Sequence, residues 1–406
     1  MRCVSRLFYA LLSQPGFIKT HLIHSTQNHK KDDEIVLVFN HANKDKPFTA
    51  HLLKSPEIQV NHLIKLPHNF PSPDSFNKYD SCIFGSVNGL ICFYTTLSCR
   101  FRPRFIHIWN PSLSALVTLP GPKPNVYPIE YCRFGYDPKT DDYKVVKLSY
   151  DFLTDLVEVY SMKKHSWKSV KEKFPSNNIE SEIVLFNEVC IDSHDGHVHW
   201  LRRHVVDDLD NFFLEIIAFD LGTETFSLIS LPNSISNLDW GYIYGSNNLS
   251  FGYWAGKLCV MAHVGHDEFD EFEVWVMNEY GVAESWVKHH NFSSKFSGTH
   301  IDPIGFTLDN KFLYGVGSHL ASYDPDTTQV ASFSSYSRRS VCTKVVHYID
   351  SLIWVAPRKK YASTRCKKDG IRKIPKKRQS LIIYRKLKEI QRRTKLQHLA
   401  RHYWHG

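Results

Sequence analysis

The stretch IHIWNPSLSALVTLP (106–120) is a β-run that ends in an aromatic residue, a polar turn, and then a second β-run. The same phrase returns as VEVYSMKKHSWKSV (157–170), IIAFDLGTETFSLISLP (216–232), VWVMNEYGVAESWVK (274–288) and LASYDPDTTQV (320–330). With Asn110, Ser161, Asp220, Asn278 and Asp324 as turn positions, the spacings are 51, 59, 58 and 46 residues. Each interval holds one four-stranded unit of roughly 40 to 50 residues plus connections, the repeat of a β-propeller.

A second phrase precedes the first in most units, a tight turn opening a strand. It is Asn88-Gly89 before LICFY, Asp195-Gly196 before HVHWL, Ala255-Gly256 before KLCVM and Asp350-Ser351 before LIWV. Asn-Gly and Asp-Gly supply the positive φ that a two-residue hairpin demands. Two phrases alternating at one period favour radial repetition over a β-sandwich, which lacks long-range self-similarity. The reading is mostly β: a propeller of about six blades over 25–357, its ring closed by the first run, Ile35 to Phe39, lying near the last, Leu352 to Ala356. The aromatics Trp109, Tyr160, Phe219, Trp275 and Tyr323 hold equivalent places in the repeat. Packing between blades explains them better than a stacking platform for a ligand.

Outside the repeats the pattern changes. Residues 5–23 read as a helix with a trailing turn, Leu7, Leu11 and Leu12 sharing a face and the Ser13-Gln-Pro-Gly cluster stopping it. The opening Arg2–Leu12 segment has an apolar core too short for a secretory signal and no small-x-small site directly after it. No apolar run approaches the roughly 18 to 20 residues that span a bilayer. Charge is split: residues 358–406 hold 18 Lys and Arg against Asp369 and Glu389, a net of +16, while the rest of the chain is net −7.

Catalytic constellations are missing from the sequence: there is no GxSxG, HExxH, Walker loop or post-strand GxGxxG. Nine dispersed cysteines lack CxxC spacing, so neither a disulfide framework nor a structural zinc site is expected, and the chain reads as cytoplasmic, nuclear or both. The triplets beginning at Asn248 and Asn291 matter only in a secreted protein. His194, His197 and His199, with 197 and 199 on one strand face, could begin a metal site, but no third and fourth ligand is nominated. The pairs Cys92 with Cys99 and His263 with His266 read as core thiols and rim imidazoles. The acidic run Asp267 to Glu271 lacks the glycine and ligand spacing of a calcium loop. No cofactor, metal or catalytic residue is expected.

The segments RCVSRLFYALLSQPGFIKTHL (2–22), GSVNGLICFY (85–94), IHIWNPSLSALVTLP, RFGYDPKTDDYKVVKL (133–148), VEVYSMKKHSWKSV and IIAFDLGTETFSLISLP together resemble the plant F-box proteins that carry an F-box-associated, kelch-like domain. The resemblance covers roughly residues 2–355. It implies a non-catalytic substrate receptor of an SCF-type cullin-RING ubiquitin ligase, which docks on a Skp-type adaptor held by a cullin and grips an unidentified target protein with its β-domain. On that pattern residues 1–24 match only the C-terminal part of an F-box, with Phe8 where the family usually has Trp. The adaptor-facing residues would be Val4, Leu7, Phe8, Leu11 and Leu12. Burying such side chains returns about 1.5 to 3 kcal/mol each before ordering costs, too little for strong adaptor affinity from this stub alone.

The tail 358–406 departs from the family pattern. Ile383, Leu387, Ile390, Leu396, Leu399 and Tyr403 fall at helical intervals among basic residues, so the tail reads as partly helical. Lys367, Lys368, Lys376, Lys377 and Arg378 form clusters of the nuclear-import kind. The alternative to the ligase receptor is therefore a standalone protein-binding module, detached from the ligase, whose tail directs it to the nucleus or to nucleic acid. The acidic body itself does not call for nucleic acid or membrane.

Overall fold

A computed structural model describes residues 13–355, apart from 30–33, 40–47, 54–58, 65, 72–82, 97–103, 122–128, 152–153, 176–194, 206–211, 237–248, 265–270, 294–300, 317–318 and 334–343. The strands form six antiparallel sheets, each one blade of a six-bladed propeller. Blade 1 is β3 (Ile83–Val87), β4 (Leu90–Thr96), β5 (Arg104–Asn110) and β6 (Ala115–Thr118). Blade 2 is β7 (Ile129–Asp137), β8 (Asp142–Asp151), β9 (Thr154–Ser161) and β10 (Ser166–Ser169). Blade 3 shows β11 (His197–Val205), β12 (Phe212–Asp220) and β13 (Thr225–Ser230), followed by the one-turn helix α2 (Asn233–Ser236). Its β11 follows the Asp195-Gly196 turn, as the second strand does in blades 1 and 4.

Blade 4 is β14 (Leu249–Trp254), β15 (Lys257–His263), β16 (Glu271–Met277) and β17 (Trp286–Ser293), and blade 5 is β18 (Ile301–Phe306), β19 (Phe312–Val316), β20 (His319–Asp324) and β21 (Gln329–Phe333). Blade 6 closes the ring with strands from both ends of the domain: β1 (Ile35–Phe39) pairs with β2 (Phe48–Leu52) on one side and with β22 (Lys344–His347) on the other. The register Val36 to His347 and Leu37 to Val346 fixes the closure. Closure thus takes place one turn earlier in the chain than the sequence reading expected. Residues 352–355 form no strand; they run as a strap toward blade 1, where Asn110 Nδ2 donates to the carbonyls of Ser351 (3.0 Å) and Ile353 (2.8 Å). Val355 is buried there in the core between blades 1 and 2.

Alternation along the strands makes this architecture stable. Each blade is apolar on both faces, so each face packs on a neighbouring blade, giving six separate inter-blade cores around the ring. Trp109, Trp200, Phe219, Phe272 and Phe312 are among the largest fully buried side chains. Each such side chain contributes about 1.5 to 3 kcal/mol relative to an exposed one.

Before the propeller lies helix α1 (Pro15–His29). The Ser-Gln-Pro-Gly cluster read as a stop is where this helix begins. Proline at the first helical position gives up no hydrogen bond and its fixed φ suits a helix start. Ile18 N already donates to Gln14 O at 3.1 Å.

One buried histidine gives blade 1 a pH signature. His107, 5% exposed on β5, bridges its neighbours, Nε2 2.8 Å from Thr95 Oγ1 and Nδ1 2.9 Å from Thr118 Oγ1. Burial pushes its pKa down from 6.5 to about 4. The folded state keeps the ring neutral while the unfolded chain protonates near 6.5, so stability is full above that pH and is lost as pH falls toward 4. Between pH 7 and pH 5 this one group removes about 2 kcal/mol. Urea unfolding at the two values is expected to show that loss in the native protein, and a loss smaller by about that amount in His107→Gln.

Candidate functional site

The two faces of the ring are built differently. On one, the first-to-second and third-to-fourth strand turns emerge, short except for the eight-residue β16–β17 connection of blade 4. Asn88, Asp195 and Ala255 take positive φ with Gly89, Gly196 and Gly256 beside them, the paired left-handed geometry of two-residue hairpins. The five repeat positions mark the other turns. Asp220 Oδ1 accepts from Gly222 N (2.6 Å) and Thr223 N (2.9 Å), and Asp324 Oδ1 from Asp326 N (3.0 Å) and Thr327 N (3.2 Å). Asn110 Oδ1 accepts from Leu113 N (3.2 Å), and Ser161 Oγ from Lys164 N (3.0 Å). Asn278 differs: its side chain accepts from Lys257 Nζ at 2.7 Å. At the other four positions the short polar side chain ending the third strand folds the turn onto itself.

The same face latches blade to blade. Lys144 Nζ bonds Asp137 Oδ2 within blade 2 at 2.7 Å and crosses to the carbonyl of Leu221 in blade 3 at 2.7 Å. Lys139 reaches Asp220 at 3.0 Å. Burial raises the pKa of the Asp137 and Asp220 carboxyls, but Lys144 and Thr140 on the first, and the Thr223 N–H and Lys139 on the second, more than offset it and hold both below the ordinary value. Between blades 4 and 5, Ala255 N donates to Asn310 Oδ1 at 3.0 Å. Glu34, 3% exposed, ties blade 6 to blade 5: each carboxylate oxygen lies 3.1 Å from Leu308 N of blade 5, while Oε1 lies 2.6 Å from His347 Nδ1 of β22 in its own blade. Removing one cap is expected to cost measurable stability: Asp220→Ala loses two N–H acceptors and the Lys139 contact, about 2 kcal/mol by denaturant titration.

His197 and His199 do share a strand face, as their spacing indicates, and both meet Tyr280 from the blade 4 turn. Ring centroids lie 4.8 and 5.9 Å from the Tyr280 ring, and His199 Nε2 is 2.7 Å from the Tyr280 hydroxyl. His197 Nε2 is 3.7 Å from Asp220. Burial, then Asp220 and Asp195, push the Tyr280 phenol up, so it stays protonated. The group joins blade 3 to blade 4. Among the described residues no set of three or more His, Cys, Asp or Glu is placed to hold a metal ion.

The other sequence candidates fall as follows. Trp109, Tyr160 and Phe219 are buried in three different inter-blade cores, and Trp275 and Tyr323 pack against two more. Cys92 is buried, and burial followed by its neighbour Cys132 raises its thiol pKa well above the ordinary value. His263 lies on β15 against Phe272. Val4, Leu7, Phe8, Leu11, Leu12, Cys99, His194, His266, Asp267 to Asp270, Lys367, Lys368, Lys376, Lys377 and Arg378 lie outside the described residues.

Sequence reasoning did not find the charged residues inside strands. Arg202 and Glu215, opposite each other on β11 and β12, form a buried pair, with Nε to Oε1 at 3.0 Å. Lys147 and Glu158 do the same on β8 and β9 at 2.6 Å. Glu273 gathers Lys288 (2.5 Å), Trp275 Nε1 (2.8 Å) and Ser234 (3.1 Å). Opposite charges at facing register positions were the available signal, readable once the hairpin pairing is known.

The opposite face receives the second-to-third strand connections and the blade-to-blade crossings. Helix α1 belongs to the turn face. His21 Nε2 lies 3.6 Å from Asp350 Oδ2, beside the Asn88-Gly89 turn. Only five residue steps join His29 to Glu34, at most about 17 Å of chain.

Residues 34–308 match the model of the F-box associated beta propeller domain, and the chain belongs to that family. Similar proteins in Arabidopsis thaliana include F-box protein CPR1, 26% identical over 381 residues (85% of this chain, 83% of that one), and F-box protein At4g22390, 26% identical over 324 residues (71% and 67%). Among solved structures, the β-propeller domain of the trilobed protease from Pyrococcus furiosus aligns over 63% of this chain and 71% of its own at 12% identity, with a TM-score of 0.33. No helix among the described residues is long and apolar enough to cross a membrane.

Proposed function

We propose that the chain is the target-recognition subunit of an SCF-type cullin-RING ubiquitin ligase and that it binds its target through the face opposite the turns. Family membership supports the class. The observation that carries the division of labour is the position of α1 on the turn face: the segment leading to a Skp-type adaptor lies on the side of the interlocked turns, opposite the second-to-third strand connections. A receptor needs this polarity, because the target must be held away from the adaptor and toward the catalytic arm. The receptor supplies proximity rather than bond chemistry.

The test is co-purification from plant cells. The tagged chain is expected to bring down a Skp-type adaptor and a cullin, and a variant lacking residues 1–29 is expected to lose both while staying folded. Recovery of neither by the full chain would overturn the ligase reading and leave a standalone binding module.

A further inference from the structure

The rim of blade 2 carries a concentration of positive charge that the turn-face latches do not use. Lys163, Lys164 and His165 in the β9–β10 turn, Lys168 on β10, and Lys171 and Lys173 just beyond it are all exposed, with Glu172 the one carboxylate within 163–173. Glu224 pairs with Lys168 at 2.6 Å, and Lys163 donates to the Thr140 carbonyl at 3.0 Å. Among the described residues no carboxylate pairs with Lys164, Lys171 or Lys173. This stripe sits on a body whose net charge is −7.

Lysines on an outer strand commonly serve to block edge-to-edge pairing. That need does not account for their distribution here. The outer strands β13, TFSLIS, and β21, QVASF, carry no charge at all and even expose Leu228 and Val330, each 47% accessible. The outer strand β17 carries one lysine, Lys288, which pairs with Glu273, so among the described outer strands the run of lysines without carboxylate partners belongs to blade 2. In the described structure β10 pairs with β9 alone, so alternate N–H and C=O groups along its outer edge face outward.

We propose that the rim of blade 2 docks an acidic, extended polypeptide segment that runs along β10 and its flanks. The free strand edge supplies backbone hydrogen bonds and the lysines supply charge complementarity, the combination used in strand addition. A polypeptide fits better than a nucleic acid: the edge groups match another peptide backbone, and the acidic body repels a polyanion that extends past the stripe. The inference does not depend on the ligase reading, since it concerns a different surface.

Hydrogen exchange on the full chain tests it, because a site-resolved readout separates this surface from the basic tail. The probe is a twelve-residue Glu-rich peptide at about 50 mM salt, where charge is weakly screened, with its Gln-for-Glu counterpart as control. The Glu peptide is expected to slow exchange across 163–173 and the Gln peptide to leave it unchanged. The variant K164E/K171E/K173E is expected to weaken that protection by about tenfold or more, and K164Q/K171Q/K173Q by less. All three side chains are exposed, so the thermal midpoint of both variants is expected to stay near that of the native protein. Protection confined to 358–406, protection of 163–173 indifferent to charge reversal, or equal protection by a single-stranded oligonucleotide would each overturn the proposal.

Discussion

Gly89→Ala is expected to be among the most damaging single-methyl changes in the domain. Gly89 sits at φ +78°, and a Cβ there would lie 2.3 Å from the Ile349 carbonyl oxygen and 2.6 Å from Ser351 Cβ. Two costs add. The left-handed backbone disfavours any L side chain by roughly 1 to 2 kcal/mol, and the contact is with backbone, which cannot step aside as a flexible side chain could. Overpacking of that kind costs about 1 to 3 kcal/mol. The turn must move away from the 349–351 strap, which also holds Asn110 and, through Asp350, helix α1. The expected loss is about 2 to 5 kcal/mol in urea unfolding. A loss under 1 kcal/mol would show that the strap does not press on this turn.

The second large effect is at Glu34. Its carboxylate is buried between Leu308 N of blade 5 and His347 of the closing strand. Glu34→Ala leaves a buried N–H without its acceptor and takes the carboxylate from the histidine, in the one blade assembled from both chain ends. Losing the acceptor of that N–H together with the histidine's partner is expected to cost about 2 to 4 kcal/mol. Glu34→Gln keeps an oxygen for the Leu308 N–H and is expected to lose less, about 1 to 2 kcal/mol. Equal effects of the two variants in equilibrium unfolding would count against a charge contribution to closure.

Both residues act where the sequence was hardest to read, and the reason is physical. The repeat phrases were legible because each third-strand turn is a local device: Asn110, Ser161, Asp220 and Asp324 fold the chain using their own neighbours' N–H groups. The first closing strand was legible too, since IVLVF is an unbroken buried run and its bounds match β1. Its partner was not. The run LIWV looks more strand-like than KVVH, yet KVVH pairs with β1 while LIWV packs as a strap. That choice depends on a register set more than three hundred residues away.

Helix α1 was misjudged at its boundary because Ser-Gln-Pro-Gly is both a breaker and a good helix start. Proline at the first position is compatible with either until the following residues are seen in place. For the site, same-face placement of His197 and His199 followed from strand period, but their partner Tyr280 comes from another blade. The two-faced construction of the ring was visible in the sequence only as blade-connecting loops on one face, because which turns interlock depends on contacts between blades.

The division between the faces is the claim most exposed to direct test. A photo-crosslinking amino acid placed at His319, on the open face, and separately at Thr223 or Asp326, on the turn face, would report which side meets a target in plant cells. All three positions are exposed. The account predicts crosslinked species from position 319 that become more abundant when the proteasome is inhibited, and none of these from 223 or 326. Proteasome-sensitive crosslinks from the turn positions, with none from 319, would contradict it.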